Sequence, residues 1–267
     1  MSEPITAAAA RALLPAVLEV VDAASGIALP YFRRGEQTTA RVWSKAGGSP
    51  VTEADVEVDA FLKVRLSELV PQAGWLSEET RDDPDRLSRD TVWIVDPIDG
   101  TRAFLSGNPD WSIAVALLSG GEPVLGIVAA PALGRVYAAA AGGGAYCDAA
   151  RIHAFTRVEL AGARVTGPKP MIERLARSAD GLETIPRVPS LALRIVRVAE
   201  GLIDVGLVST DSRDWDLAGA DLILREAGGV LCDLSGEAAR YNRPRPIHGE
   251  LAAMPATLVG PVLAALA

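Results

Sequence analysis

Apolar residues recur near helical spacing over residues 6–32, where Leu14, Val17, Leu18, Val21 and Ile27 predict one long amphipathic helix. Pro15 fits that helix only in a first turn or at a kink, because it lacks an N–H and crowds the preceding turn. A glycine-containing loop at 45–50 leads to a second helix starting near Thr52. Val58, Phe61, Leu62, Leu66 and Leu69 form its buried stripe, and Pro71 ends it. From Thr91 the pattern changes to that of strands. The run 91–95 ends in Asp96, and 111–118, 123–130 and 135–140 read as an antiparallel meander turned at 119–122 and 131–134. Further on, strands at 164–166, 203–208, 230–232 and 256–259 alternate with helices at 171–178, 190–200 and 217–227, the last closed by Gly228-Gly229. The order predicts a layered α/β architecture with two sheets sharing one cleft. An N-terminal α+β half, 1–150, and a C-terminal α/β half, 151–267, form one integrated unit without a linker or repeat between them.

Composition narrows the classes. A chain of 267 residues with 49% apolar content can bury a sizeable core. A net charge of −8 and a pI near 4.9 argue against a nucleic-acid polymer or an anionic membrane as partner. An acidic protein still binds phosphate if a metal ion inverts the local field. Cys147 and Cys232 form no CxxC pair, which fits a reducing cytosol. His153 and His248 are isolated, which argues against a histidine zinc site or a Ser-His-Asp triad. The alanine-rich N-terminus lacks a basic region followed by a long apolar stretch, and no run is expected to reach bilayer length. These features predict a soluble cytoplasmic protein.

The segment WIVDPIDGTRAF, 93–104, carries the most chemistry. Asp96 ends a strand, Pro97 turns the chain and Asp99 follows, so two carboxylates and the Ile98 carbonyl share one compact loop. Hard cations such as Mg²⁺ take oxygen ligands of this kind. The N–H groups of Gly100 and Thr101 face outward at a helix start, where phosphate can be held. The bland alternative is a polar turn in which Asp99 merely caps a helix. WLSEET, 75–80, offers Glu78 and Glu79, of which one is expected to face a site and the other solvent. In DWDLAGADLILREAGG, 214–229, Asp216 lies at a helix N-terminal edge, as ligand or as N-cap, above a small face of Ala218, Gly219 and Ala220; Trp215 reads as packing. In SPVTEAD, 49–55, Thr52 and Asp55 have capping-box spacing. Asp55 can cap with one oxygen and face a metal with the other.

In this order SPVTEAD, LSEE, WIVDPIDGT and WDLAGADLILREAGG resemble the inositol monophosphatase superfamily of lithium-sensitive, Mg²⁺-dependent phosphatases. The resemblance implies an αβαβα sandwich, a homodimer, two or three Mg²⁺ ions and inhibition by Li⁺. By the same resemblance Glu78, Asp96, the Ile98 carbonyl, Asp99 and Asp216 are the metal ligands, with Asp55 the outer ligand of a weaker ion. Thr101, Asp55 and Glu78 form the catalytic set, Thr101 and Asp55 activating the attacking water; Gly100, Thr101, Asp99 and Asp216 meet the substrate. Two positions depart from the family pattern: Gly47 replaces an acidic residue, and Arg194 replaces a lysine.

SPVT, LSEE and DPIDGTRAF are most similar to the 3′(2′),5′-bisphosphate nucleotidase branch, which removes the 3′-phosphate of 3′-phosphoadenosine 5′-phosphate to leave AMP. Arg102, Arg213 and Lys45 are candidates for a second phosphate, or plain surface charges. DPIDGTRAF is also similar to histidinol-phosphatases, and inositol 1-phosphate is accepted across the superfamily. A catalytically weak, metabolite-binding regulatory protein is the rival of another class, with Gly47 as its hint.

Overall fold

The computed structural model describes residues 4–45 and 48–267. Helix α1 (Ala7–Ala28), capped by the Thr6 hydroxyl, leads to a ribbon of β1 (Val42–Ser44) and β2 (Pro50–Thr52), then to α2 (Glu53–Leu69). Next come β3 (Gly74–Ser77), β4 (Thr91–Asp99), the short α3 (Thr101–Leu105), β5 (Ser112–Ser119), β6 (Glu122–Ala130), β7 (Arg135–Ala140), β8 (Ala145–Cys147) and β9 (Ala150–Ile152). Strands β3 to β9 lie in chain order in one seven-stranded sheet, parallel only between β3 and β4. The chain continues through β10 (Arg164–Thr166), α4 (Lys169–Ala176), β11 (Glu183–Thr184), α5 (Leu191–Ala199) and β12 (Val205–Val208). It closes with α6 (Asp214–Glu226), β13 (Gly229–Asp233), β14 (Leu251–Pro255) and α7 (Val259–Leu266). The second sheet has the order β11-β10-β12-β14-β13.

Side-chain alternation stacks these elements into five layers. In β4, Trp93 and Val95 join the core beneath α1 and α2, whereas Val92 and Ile94 join the core shared with α5 and α6. In β14, Leu251 and Ala253 face α5 and α6, and Ala252 and Met254 face α4 and α7. The order is therefore helix, sheet, helix, sheet, helix, an αβαβα sandwich. Both sheets are covered on both sides, which is why their strands read as continuous apolar runs.

The small face of α6 sets the spacing of its layer. A Cβ added to Gly126 would lie 2.4 Å from the Gly219 carbonyl oxygen, and one added to Gly219 would lie 2.8 Å from that of Val115. Only glycine at both positions lets the helix backbone rest on the sheet, and this contact brings the N-terminal turn of α6 over the end of β4.

Three expectations are corrected and one of two alternatives, a first-turn place for Pro15, is excluded. Residues 256–259 are not a strand: Ala256–Leu258 form a 3₁₀ turn running into α7, and the last strand is Leu251–Pro255. Strand β4 continues past Asp96 to Asp99 with a register break between them, because Pro97 has no N–H for the ladder. Pro15 sits inside α1, beyond its first turn. The stretch Ala7–Tyr31 is long and apolar enough to cross a bilayer by length and composition. It nonetheless packs Val17, Val20, Val21, Ala24 and Ala28 into the core beside α2, and a core helix passes the same test.

Candidate active site

Three elements from distant parts of the chain meet in a cleft of about 600 Å³. The end of β4 supplies Asp96 and Asp99, the loop after β3 supplies Glu78, and the first turn of α6 supplies Asp216. One carboxylate oxygen from each of Asp96, Asp99 and Asp216 lies within 4.8 Å of the other two, a spacing that could hold a metal ion. Gly100 and Thr101 form the adjoining wall, with Arg102, Arg187 and Asp211 among the residues at the same cleft.

Each acid is aimed by its neighbours. Asp96 accepts the Ile98 N–H at 3.1 Å through Oδ1, while its Oδ2 is buried without a hydrogen-bond partner. Asp99 Oδ2 accepts from the Ser190 hydroxyl at 2.6 Å and the Ala192 N–H at 2.7 Å, at the start of α5. Asp216 Oδ2 accepts the Arg213 N–H at 2.6 Å. That bond places Asp216 in the third helical position of α6, reaching back, rather than at the cap. Asp55 divides its oxygens: Oδ2 accepts from the Thr52 N–H at 2.8 Å and hydroxyl at 2.5 Å, and Oδ1 lies 3.4 Å from the Thr101 hydroxyl. The same hydroxyl is 3.1 Å from the Ile98 carbonyl oxygen. Gly100 holds φ +91° and its absent Cβ would press on Ser190 N at 3.2 Å, so the bend into α3 needs glycine.

The electrostatics follow from burial without compensation. Desolvation, reinforced by the charge of Glu78 and the other acids, pushes Asp96 well above the usual carboxylate range. Burial raises Asp216 in the same way, with the charge of Asp99 adding to it. Asp99 rises to about 6, burial outweighing the hydrogen bonds from Ser190 and Ala192. Burial also lifts Asp55 to about 6 against the bonds from Thr52. An orphaned buried oxygen among like charges fits a cation held from outside, and all the donors are oxygens, as Mg²⁺ prefers.

The other expectations divide. Glu79 does not face solvent: Lys45 Nζ lies 2.7 Å from Glu78 and 2.6 Å from Glu79, and Glu79 is the more buried acid. Burial lifts Glu79 to about 7 in spite of that lysine. Lys45 is thus engaged with the acids and is no free surface charge. Arg213 contributes its backbone to the α6 start and does not line the cleft, whereas Arg102 does. Trp215 packs against the central core. Arg194 is buried and donates to the Leu207 and Val188 carbonyls at 2.8 and 2.7 Å, a tie between strand and loop. Gly47 lies outside the described residues. Ser190 and Arg187 were not singled out from sequence; a serine at a helix start signals a cap, but nothing local shows that it also reaches Asp99.

Comparison with known proteins identifies the family. The profile of the Inositol monophosphatase family matches residues 2–262. A 3′(2′),5′-bisphosphate nucleotidase CysQ of Aggregatibacter actinomycetemcomitans is 31% identical over 246 residues, 86% of this chain and 88% of its own. A histidinol-phosphatase of Mycobacterium tuberculosis is 37% identical over 216 residues, 76% of this chain and 81% of its own. Among solved structures, an IMPase of Thermotoga maritima superposes with a TM-score of 0.79 at 26% identity, covering 94% of each chain. With its five layers, its acidic cleft and these relatives, the chain belongs to the inositol monophosphatase family, whose members are phosphatases of small phosphorylated metabolites.

Proposed function

We propose that the chain is a Mg²⁺-dependent phosphomonoesterase whose preferred substrate is 3′-phosphoadenosine 5′-phosphate, converted to AMP and phosphate. The observation that carries the reading is the trio Asp96, Asp99 and Asp216, two buried and one half-buried, three converging carboxylates with an orphaned oxygen. Asp96, Asp99, Asp216, Glu78 and the Ile98 carbonyl would hold the inner ions and Asp55 an outer one. When bound, two or three Mg²⁺ ions would neutralise phosphate oxygens, acidify water and stabilise the leaving alkoxide.

The chain's own groups position the reaction. Asp55 Oδ2 is locked by Thr52, so Oδ1 is the oxygen left to work with the Thr101 hydroxyl. Together they orient the attacking water and accept its proton, and a carboxylate lifted to about 6 is well matched to that task. Gly100 and Thr101 hold the phosphate against the cleft wall. Water attacks phosphorus in line as the bond to the ester oxygen breaks, and the leaving oxygen gains a proton. No phosphoenzyme is required. The reading includes a cytoplasmic homodimer and inhibition by Li⁺ at the Mg²⁺ positions.

The substrate choice is supported by the nucleotidase relative, which matches 86% of this chain. Histidinol phosphate is the second reading, favoured by the 37% identity to the mycobacterial histidinol-phosphatase. Phosphate release with Mg²⁺ from 3′-phosphoadenosine 5′-phosphate, histidinol phosphate, inositol 1-phosphate and fructose 1,6-bisphosphate tests both. A preference of about a hundredfold in kcat/KM, about 2.7 kcal/mol, for the nucleotide supports the proposal. Equal or greater preference for another substrate overturns it, and binding without turnover would make the chain a metabolite-binding protein.

A further inference from the structure

We propose that Arg187, with Arg102, receives the second anionic group of the substrate and so sets the specificity of this cleft for a doubly phosphorylated molecule. The inference deepens the function proposed above and rests on its placing the reacting phosphate at the acids. About 600 Å³ is far more space than one phosphate needs, so the cleft must also read the rest of the substrate. Arg102 and Arg187 are the cations among the described residues that line it. Both are exposed, and neither guanidinium has a carboxylate partner among the described residues. Two other arginines nearby are committed elsewhere: Arg194 to the Leu207 and Val188 carbonyls, and Arg197 to Asp110 at 2.6 Å.

The segment carrying Arg187 is fixed at two of the residues that follow it. Arg194 holds the carbonyl of the next residue, Val188, at 2.7 Å. Three residues after Arg187, Ser190 donates to Asp99 at 2.6 Å. Arg187 is therefore held at a set distance from the reacting phosphate by short, buried hydrogen bonds, although its own side chain is exposed. Of the exposed residues that line the cleft two are arginines and one, Asp211, is a carboxylate, above acids that are buried or half-buried. Such a lining favours a second phosphate, which a guanidinium can grip with paired N–H donors, and disfavours the cationic amine of histidinol phosphate.

The test compares kcat/KM for matched pairs: 3′-phosphoadenosine 5′-phosphate against adenosine 3′-monophosphate, and fructose 1,6-bisphosphate against fructose 1-phosphate. The wild type should prefer the doubly phosphorylated member of at least one pair. In Arg187→Ala that ratio should fall by about tenfold or more, with Arg187→Lys intermediate and Arg187→Glu lowest. Arg177→Ala, an exposed charge away from the cleft, should leave the ratio unchanged, and thermal melting checks that each variant is folded. A preserved ratio in folded Arg187→Ala overturns the inference while leaving the nucleotidase reading standing. A wild-type preference confined to the sugar pair, and lost in Arg187→Ala, supports the inference and overturns the choice of the nucleotide as preferred substrate. A wild type that is inactive, or indifferent to the second phosphate in both pairs, overturns the inference.

Discussion

Asp96 and Asp204 are both buried aspartates, yet their surroundings are opposite. Asp204 is met by Arg164, through its backbone N–H at 2.8 Å and its guanidinium at 2.9 and 3.1 Å, with Arg157 at 3.4 Å. Burial pushes Asp204 up, but these contacts outweigh it and hold the group below the usual carboxylate range. Asp96 is surrounded by Glu78, Asp99, Asp216 and Asp55, leaves one oxygen unpartnered, and is driven far the other way. A buried charge is tolerated when it is paired. The Asp204 region completes its pairing within the chain, whereas the cleft leaves it to a ligand.

The sharpest way to break the contrast is to neutralise one acid in each region. Asp96→Asn should lower kcat/KM by about 10⁴ or more, since it would remove an anionic ligand of the ions proposed to neutralise the reacting phosphate. The metal-free variant should melt no lower than wild type, because a repulsive charge has been removed. Asp204→Ala should do the reverse, keeping activity while losing about 2–3 kcal/mol in denaturant unfolding. That is less than for a fully buried pair, because Arg164 retains some access to water. If Asp96→Asn destabilises the metal-free protein as much as Asp204→Ala does, the two regions do not differ as described.

Thr101→Ala should lower kcat by about 10²–10³, the range for losing a positioned proton-transfer partner. The thermal shift on adding Mg²⁺ should persist; losing that shift as well would place Thr101 in the metal site rather than in water activation. Ser190→Ala should cost about tenfold to a hundredfold in kcat/KM, as for other groups that orient a ligand. Unchanged kinetics would mean that the Ser190–Asp99 bond does not position Asp99.

The smallest effect is in pH. Asp55 and Asp99 rise from 3.8 to about 6 on folding, so their contribution to stability is fully present below 3.8 and is lost as pH rises through about 6. The metal-free protein should therefore lose stability from these groups over that window. Mg²⁺ should raise Tm more near pH 7.5 than near pH 5, and a shift independent of pH would contradict the uncompensated charge.

Much of this was legible in sequence, because the strongest signals are local. Long apolar runs marked β4 to β7 and most of the helices, and the small face Ala218, Gly219 and Ala220 signalled close packing, though not that Gly126 would be the partner. The two-to-four-residue strands β3, β8, β9 and β11 carried no periodicity to read. Residues 256–259 looked like a strand because a short apolar run has no helical phase, and only the continuation into α7 resolves it. At the site, DPIDG made the convergence of Asp96 and Asp99 plain, since both lie at the broken end of one strand. The Lys45 bridge between Glu78 and Glu79, the Ser190 bond to Asp99 and the presence of Arg187 at the cleft come from packing between separate elements. No local pattern encodes them.

The cleft aspartates Asp96, Asp99 and Asp216 have no ion-pair partner among the described residues, which leaves them to hold divalent cations, and Mn²⁺ binding followed by electron paramagnetic resonance tests this without reference to any substrate. Wild type and Asp204→Ala should bind Mn²⁺ alike and release it to excess Mg²⁺, while Asp96→Asn should lose the tightest site. Equal Mn²⁺ binding by Asp96→Asn and wild type would contradict the account.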